Sequence, residues 1–273
     1  MRLCAFALKY FLAMVIIALL TDFGTKDYFV GAMKGAILFI NENVQIVDIT
    51  HDIEPQNIVS ASFNLRACYR NFPVGTIFVA VVDPGVGSPR RAVLVETADY
   101  FFIAPDNGLL SFVFNGEKEF RVFELTNPKF FAENISATFH GRDIFAPVAA
   151  HLTKGVKPFE FGAEITDFAR FDENKPQKIS DREIEAEIIE IDRFGNLITN
   201  LKREDLPERF TLEIGARKIE SLREFFAEGE EGEVFMIFGS AGFLEIAAFQ
   251  DSAKNILHAE TGQEILVELP KIL

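Results

Sequence analysis

Three polar residues, Asp83, Arg90 and His140, are of types that can take part in acid–base chemistry. Asp83 opens the loop VVDPGVGSPRR, and Arg90 follows it seven residues later, beside a second arginine, Arg91. Either arginine fork can hold the Asp83 carboxylate ionised and oriented, although such a pair can equally be a surface ion pair of little consequence. His140 lies in TFHGRD before a helix, where an imidazole can act as a general base or orient a water. Taken singly, each residue has a simpler structural explanation.

A further acidic turn follows the first apolar run. Asp22, in LLTDFG, can accept two hydrogen bonds from a ribose diol, as acidic residues of nucleotide sites do. It can equally cap the helix that follows. The loop after Asp83 contains Pro84, Gly85 and Gly87, which permit a tight turn close to a ligand, but it lacks the complete pattern of a dinucleotide or phosphate-binding loop.

The turn IDRFGNLITN lies in the second half of the chain. In this turn Asp192 can bind an ammonium group, Asn196 can pair with an adenine edge, and Phe194 can stack on a flat ligand. The alternative is an ordinary hairpin turn built on its Gly-Asn pair.

One histidine lies among acidic residues. His51 could join Asp48, Asp52 and Glu54 in a metal site. Neither HxH nor HExxH spacing is present, so no metal is predicted, and a metal-dependent hydrolase is kept only as an alternative.

Short apolar strands alternate with helical stretches from residue 15 to about 165. The predicted strands are Val15–Leu20, Gln45–Ile49, Thr76–Val82, Ala92–Thr97 and Tyr100–Ala104, and the predicted helices are Tyr28–Asn41, Ile58–Asn71, Arg142–Thr153 and one that begins near Leu109. This alternation predicts an α/β domain with a mostly parallel sheet. The turns TDFG, VDPGVGS and APDNG then lie at the carboxyl ends of strands, where open α/β sheets bind ligands.

The pattern changes after residues 171–182, which are charged, contain a proline and are typical of a linker. Beyond them, short alternating runs recur at Ile184–Ile191, Leu197–Asn200, Phe210–Ile214, Glu233–Phe238 and Gly242–Ala247. We therefore predict two domains, residues 1–170 with the α/β fold and residues 183–273 with a small antiparallel β-barrel or sandwich.

Composition restricts the partners and the location of the chain. Its 273 residues carry a net charge of −14, which repels phosphate backbones and anionic lipid heads, so neither nucleic acid nor a membrane is an expected partner. Its cysteines, Cys4 and Cys68, show no CxxC or metal-type spacing, so a cytoplasmic location is predicted.

The apolar amino terminus superficially resembles a signal peptide. Lys9 interrupts it, however, and no small-residue cleavage site precedes the TDFG turn. Residues from Val15 are better interpreted as a first strand, with residues 1–13 as an extension and Met14 as an alternative start.

Six of the turns occur in one order along the chain. They are LLTDFG, VVDPGVGSPRR, APDNGLLS, TFHGRD, IDRFGNLITN and GSAGFLEIA. Together they resemble the S-adenosylmethionine hydrolase (hydroxide adenosyltransferase) family, whose relatives include fluorinases and chlorinases. The resemblance extends over roughly residues 15 to 255.

The resemblance implies hydrolysis of S-adenosylmethionine to adenosine and methionine without a cofactor. It also implies an α/β domain followed by a β-barrel, and a homotrimer with active sites between subunits. The catalytic positions fall on Asp83, Arg90 and His140. The substrate-binding positions fall on Asp22 for the ribose, Asp192 for the methionine ammonium, Asn196 for adenine, Ser240 for the methionine carboxylate, and Asn107, Phe194 and Glu245.

Residue identity favours the hydrolase branch. Fluorinases carry Tyr at the position of Asp83 and a Tyr-Ser pair at the positions of His140 and Gly141, and halogenases carry Arg at the position of Ala241. A halogenase and a non-catalytic adenosine-binding or S-adenosylmethionine-binding protein are the alternatives.

Overall fold

The computed structural model describes residues 15–171 and 175–270. The chain divides into two compact units, Met1–Asp172 and Glu173–Leu273. The predictions made for residues 1–13 and Met14 lie outside the described residues. The predicted domain limits stay predictions, but the proposed linker is not wholly irregular, because it contains the strand Gln177–Ser180.

The first unit alternates strands and helices in the predicted order. Its elements are β1 Ile16–Thr21, α1 Phe29–Ile40, β2 Gln45–Thr50, α2 Ile58–Cys68, β3 Ile77–Val81, β4 Ala92–Thr97, β5 Phe101–Pro105, α3 Ser111–Gly116, β6 Phe120–Glu124, α4 Ala146–Thr153 and β7 Glu164–Ile165. Strands β6 and β7 were not predicted from the sequence.

The seven strands form one mixed sheet in the order β2-β1-β3-β5-β4-β6-β7. Strands β2, β1, β3 and β5 are parallel, whereas β4 is antiparallel to both β5 and β6, and β6 is antiparallel to β7. The prediction of a mostly parallel sheet therefore applies only to the half of the sheet formed by β2, β1, β3 and β5. The reason is the short turn between Thr97 and Phe101, which leaves no room for a crossover helix and makes β4 and β5 a hairpin.

Both faces of the sheet are covered. In β1, Ile17 and Leu19 pack into the cluster that contains residues of α1 and α4, while Ala18 and Leu20 pack into the opposite cluster with α2 and α3. This double burial explains why β1 is a continuous apolar run and not an alternating one. It also has a geometric consequence: β1, β3 and β5 run in the same direction, so the turns that follow them lie along one edge of the sheet.

The second unit contains a nine-stranded, mainly antiparallel sheet in the order β12-β11-β16-β9-β10-β15-β14-β13, with β8 paired to β9. Its elements are β8 Gln177–Ser180, β9 Glu183–Ile191, β10 Leu197–Lys202, β11 Thr211–Ile214, β12 Arg217–Ile219, β13 Leu222–Arg223, β14 Val234–Phe238, β15 Phe243–Ala248, α5 Ala253–Leu257 and β16 Glu264–Glu268. One core receives side chains from both ends of this path, so the sheet curls around it.

The curled sheet corresponds only in part to the predicted barrel. Among the described residues the strand path ends at β12 and β13 without a hydrogen-bonded pairing between them, and the β13–β14 pairing is parallel. Within the same described part, no helix is long and apolar enough to span a bilayer.

Candidate active site

Asp83, Arg90 and His140 form one hydrogen-bonded cluster in the first unit. Arg90 Nε donates to Asp83 Oδ1 at 2.9 Å, and Arg90 Nη2 donates to Asp83 Oδ2, so the guanidinium engages both carboxylate oxygens. Arg90 Nη2 also lies 2.8 Å from His140 Nδ1. The Asp83 side chain is only 5% exposed and that of Arg90 12%, so this bidentate pair is largely shielded from water. It is not the surface ion pair that the sequence alone could also suggest.

The neighbouring arginine points elsewhere. Arg91 Nε donates to Asp106 Oδ2 at 2.9 Å, and its terminal nitrogens bind the side chain and the backbone carbonyl of Asp167 at 2.8 and 2.7 Å. Geometry therefore resolves the choice that the sequence left open, because only Arg90 contacts Asp83 and His140.

The contact with Arg90 defines the state of His140. A guanidinium has no acceptor, so His140 Nδ1 must accept, and the ring is neutral with its proton on Nε2. Burial lowers the pKa of His140, and the positive charge of Arg90 lowers it further, while Asp83 and Asp143 act in the opposite direction. The site thus presents a neutral imidazole whose N–H is on Nε2.

Two close approaches hold the loops that carry these residues. Gly87 has φ +79°, and a Cβ on it would overlap the carbonyl oxygen of Ala137, so the Asp83 loop and the segment before His140 meet here without a side chain. The Arg90 guanidinium also lies 5.4 Å from the ring centre of Phe145, a favourable cation–aromatic contact.

The His140 turn has a support that the sequence analysis missed. Gly141–Phe145 forms a π-helical turn before α4, an arrangement often found at functional sites. Asp143, in the same motif, is 1% exposed, accepts from Ser136 N at 2.8 Å and pairs with Arg142. The motif TFHGRD places Asp143 three residues after His140, but the sequence pattern does not indicate that the Asp143 side chain is buried.

Asp22 and Asn107 lie at the same sheet edge as Asp83, after β1 and β5. Asp22 Oδ2 accepts from Gln56 N at 2.9 Å, and so it does not cap α1, whose first residue follows Tyr28 without a side-chain cap. Asn107 Nδ2 donates to Val82 O at 2.9 Å, which ties the end of β5 to the strand end that carries Asp83.

In the second unit, Asp192 and Asn196 engage each other. Asp192 Oδ1 accepts from Phe194 N and Asn196 N, both at 2.9 Å, and Asp192 Oδ2 accepts from Asn196 Nδ2 at 2.8 Å. Phe194 is 77% exposed. These contacts hold the turn in a hairpin, which is the structural alternative given above for this motif. The exposed ring of Phe194 can stack on a flat ligand.

Glu245 lies near this turn on β15. Its carboxylate packs directly against Gly239, where a Cβ would overlap it, and Ser240 next to that glycine is exposed. Burial raises the pKa of Glu245, and the negative charge of Asp192 raises it further.

No metal site accompanies these clusters in the part of the chain that the structure describes. No three His, Cys, Asp or Glu side chains there converge as metal ligands. His51 and Asp48, offered above as ligands, instead approach each other at 3.1 Å.

The fold and the two polar clusters define a two-unit α/β–β protein with a carboxylate–arginine–histidine group at a sheet edge. Models of the SAM hydroxide adenosyltransferase N-terminal and C-terminal domains match residues 17–162 and 186–266. The chain belongs to this family.

Relatives with known names fall into its two branches. The chain is 35% identical to the (R)-S-adenosyl-L-methionine hydrolase of Methanocaldococcus jannaschii, over 92% of this chain and 94% of that protein. It is 29% identical to a fluorinase of Nocardia brasiliensis, over 93% and 97% of the two chains. The crystal structure of an uncharacterized conserved protein from Thermotoga maritima superposes with a TM-score of 0.86 at 36% identity, over 92% of this chain and 99% of that one.

Proposed function

We propose that this chain hydrolyses S-adenosyl-L-methionine to adenosine and L-methionine, and that it uses the (R) epimer at sulfur. The observation that carries the proposal is the shielded contact of Arg90 with both Asp83 and His140. The names of the hydrolase relatives support both the reaction and the epimer.

The sulfonium makes methionine a good leaving group, so the site's main task is the nucleophile. Aligning a water opposite the C5′–S bond can contribute as much as about 7–11 kcal/mol, and general-base assistance about 10²–10⁴-fold. Such an in-line displacement at carbon needs no metal or redox cofactor, because the leaving group departs as a neutral thioether.

The hydrogen bonds suggest how the three residues divide the work. His140 Nδ1 already accepts from Arg90, so His140 orients the water by donating from Nε2 and does not take its proton. Asp83 is the only anionic group of the three, and its oxygens keep further lone pairs beside those that face Arg90. In the proposed mechanism Asp83 accepts the proton, and Arg90 holds Asp83 in place.

Substrate recognition follows the same residues. Asp22 binds the ribose hydroxyls, since Gln56 N occupies only one of its oxygens. Phe194 stacks on the adenine, while Asp192 and Asn196 bind the ammonium and the adenine edge. Ser240 receives the methionine carboxylate, and Asn107 and Glu245 shape the two polar clusters.

The direct test is product analysis with each epimer of S-adenosylmethionine. Adenosine and methionine should appear in equal amounts, from the (R) epimer only. Asp83→Asn and His140→Ala should keep substrate affinity but lose about 10²-fold or more in turnover. His151→Gln, on the far part of α4, is the matched control. Normal turnover by either site variant would overturn the assignment.

A halogenase is the second candidate, favoured by the fluorinase relatives. A Cβ at residue 141 would already lie 3.1 Å from Met33 Sδ and 3.3 Å from Phe139 and Phe23, so the position leaves little room for the serine of a halide site. Chloride or fluoride should therefore yield no 5′-halo-5′-deoxyadenosine. Detection of that product by its mass would reverse the choice.

The family resemblance also supports assembly as a cytoplasmic homotrimer. Exposed apolar side chains at the two ends of α1 are consistent with subunit packing, because Tyr28 at the N-cap is 67% exposed and Phe39 in the last turn is 94% exposed. The absence of paired-cysteine spacing supports the location.

A further inference from the structure

His51 is a buried titratable residue for which the proposed chemistry has no use. It follows β2 and is only 4% exposed. Its Nδ1 lies 2.8 Å from Thr21 Oγ1, and Thr21, the last residue of β1, is fully buried. A buried imidazole costs free energy unless both nitrogens find partners, so the contacts of this ring are informative.

The other nitrogen faces a carboxylate. His51 Nε2 lies 3.1 Å from Asp48 Oδ1, within ion-pair distance, although the N–H is not aligned well enough for a full hydrogen bond. Asp48 Oδ2 accepts from Lys34 Nζ at 2.6 Å. Burial raises the pKa of Asp48, but the interactions with Lys34 and then His51 outweigh it and bring the pKa below its ordinary value.

These contacts select one tautomer. A lone pair on His51 Nε2 would repel the Asp48 carboxylate, so Nε2 carries a proton, and in the neutral ring Nδ1 accepts from the Thr21 hydroxyl. Thr21 Oγ1 in turn accepts from Phe23 N at 3.2 Å. The chain Lys34–Asp48–His51–Thr21 therefore reaches from the surface to the backbone on either side of Asp22.

A second set of contacts joins the same two turns. The backbone carbonyl of His51 accepts from Gly24 N at 2.7 Å, and Gln56 N donates to Asp22 Oδ2 at 2.9 Å. The turn that holds Asp22 is thus fastened to the segment after β2 at three points, and the His51 ring is the buried one.

We propose that His51 is a positioning residue that orients Asp22 for the ribose hydroxyls through the hydroxyl of Thr21. The inference rests on the proposed function, in which Asp22 binds the ribose. His51 itself contacts no substrate, and its effect should appear in binding more than in the chemical step.

Two amide substitutions separate the halves of the network. The side chain of Asn places a polar atom near the position of Nδ1, whereas that of Gln reaches the position of Nε2. His51→Asn therefore retains a partner for Thr21, and His51→Gln retains one for Asp48. Thr21→Val removes the hydroxyl without changing the volume, and Thr21→Ser restores it.

The experiment measures the Kd of adenosine by calorimetry, the KM and kcat for S-adenosylmethionine, and Tm. His51→Gln and Thr21→Val should each raise Kd and KM about tenfold, with a smaller change in kcat, because one buried hydrogen bond is lost. His51→Asn and Thr21→Ser should stay within about threefold of the parent. The double variant His51→Gln/Thr21→Val should be no weaker than the worse single variant, since both remove the same contact.

Other results would overturn the proposal. Unchanged adenosine affinity in folded His51→Gln and Thr21→Val would do so, as would equal losses in His51→Asn and His51→Gln or additive losses in the double variant. If His51→Gln does not fold, the comparison of Thr21→Val with Thr21→Ser still decides. His151→Gln controls for the loss of an imidazole elsewhere. Failure of the proposed function would look different, because the parent would bind adenosine but show no turnover. The Kd values of the variants would then still test the role of His51.

Discussion

At the level of single residues, the chemistry of the site depends on which lone pairs and protons remain available. Arg90 uses its Nε and Nη2 on Asp83 and His140, so one guanidinium orients both. Arg91 has the same charge but faces Asp106 and Asp167. The difference between the two arginines lies in direction, not in residue type.

The state of His140 gives a pH dependence. Burial and the charge of Arg90 lower its pKa, and a proton on Nδ1 would break the contact with Arg90. We expect kcat/KM to fall as the pH drops through a value below the ordinary 6.5 of histidine, and to be level above it. His140→Gln should lack this acidic limb. A limb centred above 6.5 in the parent would contradict the prediction.

Glu245 gives a stability prediction. Because burial and then Asp192 raise its pKa, the folded chain holds this proton more tightly than the unfolded chain does. The ionised form therefore destabilises the fold above the raised pKa, and that penalty disappears as the pH falls towards the ordinary 4.5. At pH values well above 4.5, Glu245→Gln should raise Tm, whereas below pH 4.5 it should leave Tm nearly unchanged. Scanning calorimetry tests this, with the exposed Glu264→Gln as control. An equal shift at both pH values would contradict it.

At the level of elements, the site is made by strand direction. The ends of β1, β3 and β5 lie side by side because these strands are parallel, and each is followed at once by a polar turn. The π-helical turn before α4 brings His140 to the Asp83 loop. Asn107 and the His51 network then fix the turns to one another.

The close contact at Gly87 makes a prediction for the loop. Gly87→Ala adds a methyl against the Ala137 carbonyl at a φ of +79°, so it should destabilise the fold by about 1–3 kcal/mol and lower kcat. Denaturant unfolding and steady-state kinetics measure the two effects. Gly31→Ala, on the open face of α1, is the control and should not destabilise. Wild-type stability of Gly87→Ala would show that the loop shifts freely.

At the level of the whole molecule, the acidic charge and the exposed Phe39 at the end of α1 concern association. The net charge of −14 keeps chains apart at long range, so a stable assembly needs apolar burial. Phe39 is 94% exposed, so its ring provides apolar area that an assembly can bury.

The proposed homotrimer predicts a mass in solution of three times the 30.7 kDa of the chain. Sedimentation velocity should give this mass, and Phe39→Glu should lower it, because a charge replaces buried apolar area. The exposed Phe159→Glu in the first unit is the control. A monomeric parent would contradict the trimer.

Much of this protein could be predicted from its sequence. The apolar runs place β1 through β5 and the first two helices to within a few residues. The signal is clearest for β1 and β3, because burial on both faces requires continuous hydrophobic stretches. The ordered turns identify the family and predict a set of site residues. Short edge strands such as β7 and β12 were missed, since two or three residues carry no period.

Only the tertiary structure decided the rest. It showed that β4 reverses the sheet direction, that Arg90 and not Arg91 meets Asp83, and that His51 is tied to Thr21 and Asp48. These facts depend on contacts between residues far apart in the chain, and local sequence patterns do not encode side-chain direction across such distances. The residue types in the site follow from the sequence, whereas the hydrogen bonds that determine their protonation follow from the fold.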